Sequence, residues 1–493
     1  MSTGAIVGFV IVLLIVLLAI RMPVAFALGL SGATGLLILK GAGHTTNVLG
    51  SLPFTETASF SLTIIPMFTL MGMLAVKARI AEQVFAVAAY VFKKIPGGLG
   101  VAAIMASAGF AAVSGSSIGT AATMSKLSIG QMRKYGYPIP LASAAVAVAG
   151  TLGALIPPSV FLVLYAIMVG ESVAEVLAAG IVPGILSAIV YAIYMSFAVR
   201  RHRAKQKAIA EAPDLESALA LASSNIPKEK IVALRAEQSS DGWSYQQRNI
   251  SSAPVPDAPV EGIDLTNVTK LRQLPWRGIA RLVILFVIVL GGMYSGVFTP
   301  TESAAIGALV AGIMLAVEMF RDGPRSIIGA FIEAFKETAS TTSMVFSIIV
   351  GSAVLSSFFV MAKVPRMLTN AVLGWGLPGH LTLGIMLLAL IPLGMALESI
   401  SILVITVPLI YPVAMELGFS GVWLAVLIVK LIEIGMVTPP VGINCFVVAG
   451  TADVKTEDVF RGVLPFVLLD MALLVVLFFV PQISLWLPSL VQV

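Results

Sequence analysis

Residues 113–124 read VSGSSIGTAATM: three serines, two threonines and two glycines inside a chain of 493 residues that is 58% hydrophobic. Apolar residues 101–112 lead into the stretch and residues 125–130 lead out of it. Lys93 and Lys94 stand before the whole unit, and Arg133 and Lys134 after it. Basic clusters on both sides put the two ends on one membrane face, so the segment enters and returns as a re-entrant hairpin. Non-helical backbone at membrane depth survives only where protein or a cavity covers it. Gly115 and Gly119 supply the turn, and the hydroxyls of Ser114, Ser116, Ser117 and Thr120 gather at its tip. Such oxygens suit a hard cation. Tight helix packing also selects small residues, but that explains glycine and alanine better than a cluster of hydroxyls.

The membrane setting follows from composition. Only 11% of residues are charged, against roughly 25% in a soluble domain, and the mean hydropathy is +1.01. Residues 4–20 and 22–39 carry no charge and are separated by Arg21; both approach the ~20 apolar residues of a transmembrane helix. Alternating dyads of a β-barrel are not the pattern. The N-terminal run lacks a basic n-region and a small-residue cleavage site, so it reads as a retained helix. The lone Cys445 excludes an internal disulfide, and His44, His202 and His380 lie far apart. The pI of about 9.2 reflects basic loops at a membrane face rather than nucleic-acid binding.

A linker divides the chain, and three pairs of motifs repeat along it. Residues 200–275 are polar and contain proline and serine, which predicts a flexible cytoplasmic linker between residues 1–199 and 276–493. Each half carries GxxxPP, ending at Pro157-Pro158 and at Pro439-Pro440. A polar tip precedes the first proline of each pair by 41 residues: Ser116 in SSI for Pro157, Glu398 in ESI for Pro439. Pro23 and Pro300 open a third pair of similar segments. With the basic clusters cytoplasmic, each half holds five spans and a hairpin, an odd number of crossings that turns the second half upside down. The expected fold is an all-α integral membrane protein of two inverted repeats, about ten transmembrane helices and two re-entrant hairpins, with both termini periplasmic. The hairpins fall near 98–130 and 380–416, the broken helices near 140–170 and 422–450.

Proline removes a backbone donor and clashes with the carbonyl four residues back. Two in succession after Gly150 and Gly153 therefore predict an unwound stretch, whose freed carbonyls can hold a cation while the half-helix beyond offers N–H groups to an anion. GMVTPPVGIN (435–444) repeats the device. Glu398 is the costly residue, since a carboxylate at bilayer depth costs at least about 2.5–3.5 kcal/mol; it can ligate a cation, bind a proton or cap a half-helix. Lys430 and Glu433 share a helix face and can pair.

The motifs SGSSIGTAAT, GTLGALIPPS, GVFTPTESAA and GMVTPPVGIN, with the closing VLPFVLLDMALLVVLFFVPQISLWLP, resemble the large (DctM-type) membrane subunit of tripartite ATP-independent periplasmic (TRAP) transporters over nearly the whole chain. The central linker looks longer than is usual there. The resemblance implies an elevator-type carrier in a bacterial inner membrane, coupled to sodium and moving small carboxylates such as C4-dicarboxylates. It also implies two partners, a periplasmic substrate-binding protein and a small four-helix membrane subunit (DctQ type). By position, one sodium set would be Ser114, Ser116, Ser117 and Thr120 with Gly150, Thr151 and Gly153. A second would be Gly394, Glu398, Ser399 and Ser401 with Gly435, Met436 and Thr438. The substrate would lie between the tips, against Ser116, Thr120, Pro157, Ser159, Ser401, Pro439 and Asn444. No arginine lies in the four breaks, so a carboxylate would be held by helix ends, hydroxyls and bound cations.

A stand-alone dicarboxylate or citrate-type symporter shares paired hairpins but needs no binding protein. An enzyme is disfavoured: Asp470 is the only obvious membrane aspartate, and neither HExxH nor GxxxxGK[ST] occurs.

Overall fold

The computed structural model describes residues 2–210, 275–374 and 376–490, and all regular structure among them is helical. The first half runs α1 (Thr3–Ala19), α2 (Val24–Lys40), α3 (Ala42–Thr57), α4 (Ile64–Lys77), α5 (Ile80–Val91), α6 (Gly98–Ser114), α7 (Ser117–Met124), α8 (Gly130–Lys134), α9 (Ile139–Thr151), α10 (Val160–Val169) and α11 (Val173–Ala210). The second runs α12 (Trp276–Phe286), α13 (Pro300–Glu318), α14 (Pro324–Met361), α15 (Val364–Leu373), α16 (Gly379–Leu388), α17 (Leu390–Ala396), α18 (Ser399–Glu416), α19 (Gly421–Val437), α20 (Ile443–Ala452) and α21 (Thr456–Phe479). The linker boundary expected at residue 200 moves: α11 continues through Ala210, because RRHRAKQKAIA is built of strong helix formers that need no membrane to stay helical. The rest of that segment, residues 211–274, lies outside the described residues.

Seven helices among the described residues are long and apolar enough to cross a membrane. Length alone does not select the spans. Ser399–Glu416 qualifies although it is one arm of a helical hairpin, while α1 and α2, at 17 residues each, fall just short. The expected ten crossings thus need these shorter helices and the two interrupted ones.

Local chemistry sets the helix boundaries. Thr299 and Glu302 form a reciprocal capping box at the start of α13, with Pro300 in the first turn. The junction of α4 and α5 passes through Arg79 at φ 56°, ψ 31°, and that of α14 and α15 through Lys363 at φ 57°, ψ 30°. Left-handed backbone is uncommon for residues with a side chain, so its recurrence at the same place in each half is a specific structural echo.

The halves are interleaved. α2 packs along α14, and α4 along α13; in the same exchanged way α9 packs on α21 and α19 on α11. Small residues allow the close approach. A Cβ on Gly32 would stand 2.6 Å from the Leu355 Cα, and one on Gly351 would run into the Ala25 carbonyl. These crossings frame the hairpins and broken helices.

Candidate functional site

The first hairpin turns where the sequence places its polar stretch. α6 ends on Gly115, left-handed at φ 59°, and Ser116 is extended. The Ser116 hydroxyl caps α7 by accepting the Gly119 N–H at 3.1 Å, satisfying a donor that the helix start leaves open. The Ser114 and Thr120 hydroxyls lie 2.7 Å apart, and Ser114 Oγ reaches the Ser116 carbonyl at 3.5 Å. The break between α9 and α10 is pressed against this turn. A Cβ on Gly153 would meet the Ser116 carbonyl oxygen at 3.2 Å, one on Gly150 the Ala121 methyl at 2.7 Å, and one on Gly115 the Pro158 carbonyl oxygen at 2.8 Å. Ser114, Ser116, Ser117, Thr120, Gly150 and Gly153 therefore form one cluster. Thr151 joins it by backbone only, its hydroxyl donating to the Val148 carbonyl at 2.8 Å. Ser159 caps α10, accepting from the Leu162 N–H and donating to the Ala154 carbonyl.

The second hairpin uses a carboxylate for the same job. Glu398 is the N-cap of α18, its Oε2 accepting the Ser401 N–H at 3.3 Å and the Ser401 hydroxyl at 3.2 Å. Of the three roles open to Glu398 in the sequence, the cap is the one its hydrogen bonds display, and its charge favours the positive end of the helix. Gly394 of α17 faces Gly435 of α19 so closely that a Cβ on either would lie 2.9 or 2.6 Å from the other's Cα. Thr438 closes α19, its hydroxyl donating to the Ile434 carbonyl at 2.5 Å. Replacing either cap, Ser116→Ala or Glu398→Ala, is expected to cost about 0.5–2 kcal/mol in thermal unfolding, with Glu398→Asp close to wild type.

The two sets meet across the halves. The Ser117 hydroxyl contacts the Met436 sulfur at 3.9 Å, α7 packs on α20, and α10 on α18. Asn444 is buried on α20; its Nδ2 donates to the Ala147 carbonyl at 3.4 Å, while Oδ1 has no partner. The breaks differ in access. Pro157 and Ser159 are buried with the rest of residues 151–159, whereas Pro439, Pro440 and Val441 are exposed.

This pairing of capped hairpin tips with glycine-lined helix breaks is carried by a chain whose residues 11–483 match one family description, "Tripartite ATP-independent periplasmic transporter, DctM component". The chain belongs to the DctM family. It is 30% identical to the C4-dicarboxylate TRAP transporter large permease protein DctM of Vibrio cholerae, over 99% of its own length and 98% of that protein's. It is 26% identical to the isethionate TRAP transporter permease protein DctMQ of Oleidesulfovibrio alaskensis, covering 95% of this chain and 64% of that one. Among solved structures, the Alcanivorax borkumensis YdaH transporter shares the fold with a TM-score of 0.51 at 16% identity, over 97% of this chain and 98% of that one. This DctM-family chain is thus a multi-pass membrane transporter permease, not an enzyme.

Beside the site, this DctM-family chain buries an ion network that sequence reasoning saw only in part. Lys430 and Glu433 of α19 pair at 3.1 Å, and Lys430 also reaches Asp470 of α21 at 2.8 Å. From α11, Ser187 lies 3.1 Å and Tyr191 3.4 Å from the ammonium, and the Tyr191 hydroxyl donates to Asp470 at 2.5 Å. All three charged side chains are buried, and one Glu433 oxygen has no partner. Three ionisable residues in apolar helices were the available signal; the partners on α11 were not.

Proposed function

We propose that this chain moves a small organic anion, a carboxylate or sulfonate, across the bacterial inner membrane in symport with sodium. It receives the anion from a periplasmic binding protein and works beside a small membrane subunit. The names of its relatives support the substrate class: C4-dicarboxylate for one and isethionate for another. The observation that carries the reading is the matched pair of capped tips against glycine-lined breaks, each tip's second arm resting on the opposite half's broken helix. Unwound carbonyls and half-helix ends of this kind hold cations and anionic substrate groups in carriers built from repeats.

The residues fit a sodium ion. Ser114, Thr120 and the Ser116 carbonyl converge as neutral oxygens, and glycine at 150 and 153 lets the broken helix pack directly against that tip. In the second half the Glu398 carboxylate and the end of α19 offer oxygens of the same kind. With the lysine- and arginine-rich face cytoplasmic, the halves are inverted repeats, and one buried and one exposed break describe a site open to one side. Elevator movement of the hairpins and broken helices against the interleaved frame then exchanges the exposed side.

Thermal unfolding in sodium against equimolar potassium tests the coupling. Sodium at 100-fold its dissociation constant is expected to add about 2.7 kcal/mol, and Thr120→Val and Glu398→Gln to lose that increment, compared within each variant so that cap losses cancel. Equal behaviour of the two cations removes sodium from the mechanism. Uptake into proteoliposomes without a binding protein would instead make the chain a stand-alone symporter.

A further inference from the structure

A cavity of about 240 Å³ opens where α5, the base of the first hairpin and the outer end of α11 meet. Its walls include Tyr90, Lys93, Gly98, Tyr135, Tyr137 and Arg203. The Lys93 ammonium lies 3.5 Å from the centre of the Tyr90 ring, and both line the cavity. Tyr137 sits beside the Leu99 and Gly100 amides at the start of α6 and in the field of Arg203. The walls come from residues 89–99, 135–137 and 203, and neither residues 83–170 nor 176–210 contain an aspartate or glutamate. Among the described residues the cavity wall is therefore cationic and carries no carboxylate. Its three tyrosines are the aromatic signature of a membrane–water interface. Apolar side chains stand exposed beside it: Val91 at 54% and Ile95 at 42%.

We propose that this cavity binds the phosphate of an anionic phospholipid, whose acyl chains lie along Val91 and Ile95. Basic pockets between transmembrane helices recognise such headgroups through charge, and the apolar neighbours favour a lipid over a free anion. The bound headgroup ties three elements together: α5, the first hairpin at both its entry and exit, and α11. It thereby sets the base from which the Ser116 tip projects.

The test is thermal unfolding of the full chain in nanodiscs of phosphatidylcholine with increasing phosphatidylglycerol, beside a detergent sample titrated with inorganic phosphate. Phosphatidylglycerol is expected to raise the unfolding temperature saturably. Lys93→Gln and Arg203→Gln should each weaken the midpoint of that titration about fivefold, and Arg325→Gln, in the other half, should leave it in place. Stabilisation by inorganic phosphate to the same extent would overturn the lipid assignment. So would an equal loss in Arg325→Gln, which would mean that the basic face acts as a whole.

Discussion

Lys430→Met is expected to cost about 3–5 kcal/mol of stability, the usual penalty for removing one partner of a buried ion pair. The substitution keeps an unbranched stem and removes the cation that, alone among the described residues, pairs with Glu433 and Asp470. Both carboxylates are buried, and Tyr191 supplies a single hydroxyl proton to Asp470. Nothing else in the network can carry positive charge. Replacing the set together, Lys430→Met with Glu433→Met, Asp470→Leu and Tyr191→Phe, should recover most of the loss, because well-packed apolar groups often match a buried ion network in stability. Unfolding midpoints of the single and combined variants in one detergent decide the matter. A single variant as stable as wild type would mean that the carboxylates are hydrated and the network is not closed. If the combined variant is stable but does not transport, the network serves movement and not only folding.

Gly435→Ala is expected to abolish most transport while costing about 1–3 kcal/mol of stability. Its Cβ would stand 2.6 Å from the Gly394 Cα, and both sides of that contact are backbone, so no side chain can rotate away. α17 must lift from α19, which moves the Glu398 tip away from the break it faces. Gly450→Ala is the matched control. It lies in α20 with nothing within 4 Å of the added methyl, and a helical alanine should leave it neutral or stabilised by about 0.5–1 kcal/mol. Uptake measured on folded, monodisperse protein separates the two effects. Wild-type uptake in Gly435→Ala would mean that the two glycines do not touch in the working transporter.

Much of the site was legible because proline, glycine and clustered hydroxyls act locally. Pro157-Pro158 and Pro439-Pro440 end their helices wherever they are placed, and the equal spacing from Ser116 and Glu398 points to equivalent tips. That equivalence acquires physical content in the structure, where a serine hydroxyl and a glutamate carboxylate cap their helices at the same position. The less legible parts depend on tertiary context. α3 contains AGHTTNVLGSLPFTET with Pro53 inside, too polar to read as a span, and is helical while packed against α2 and α14. Where the first half uses α3 and α4, the second runs straight through the 38 residues of α14, which blurs a repeat read by length. Tyr191 looks in sequence like any packing aromatic of an apolar helix, and only its burial beside Asp470 shows that its hydroxyl is committed.

The interleaving of the halves also constrains how the protein is made. The glycine face of α2 finds its partner on α14, and Met71 and Leu74 of α4 find Gly307 and Gly312 on α13, so neither contact is complete when the first half leaves the ribosome. At cellular elongation rates the chain between Gly32 and Leu355 takes on the order of 15–60 s to appear. Through that interval the early helices wait in the bilayer with their small-residue grooves filled by lipid or by an insertion factor. Assembly then proceeds by displacement of these occupants rather than by sequential stacking, and a nascent chain arrested before α13 would be a ready substrate for membrane proteolysis.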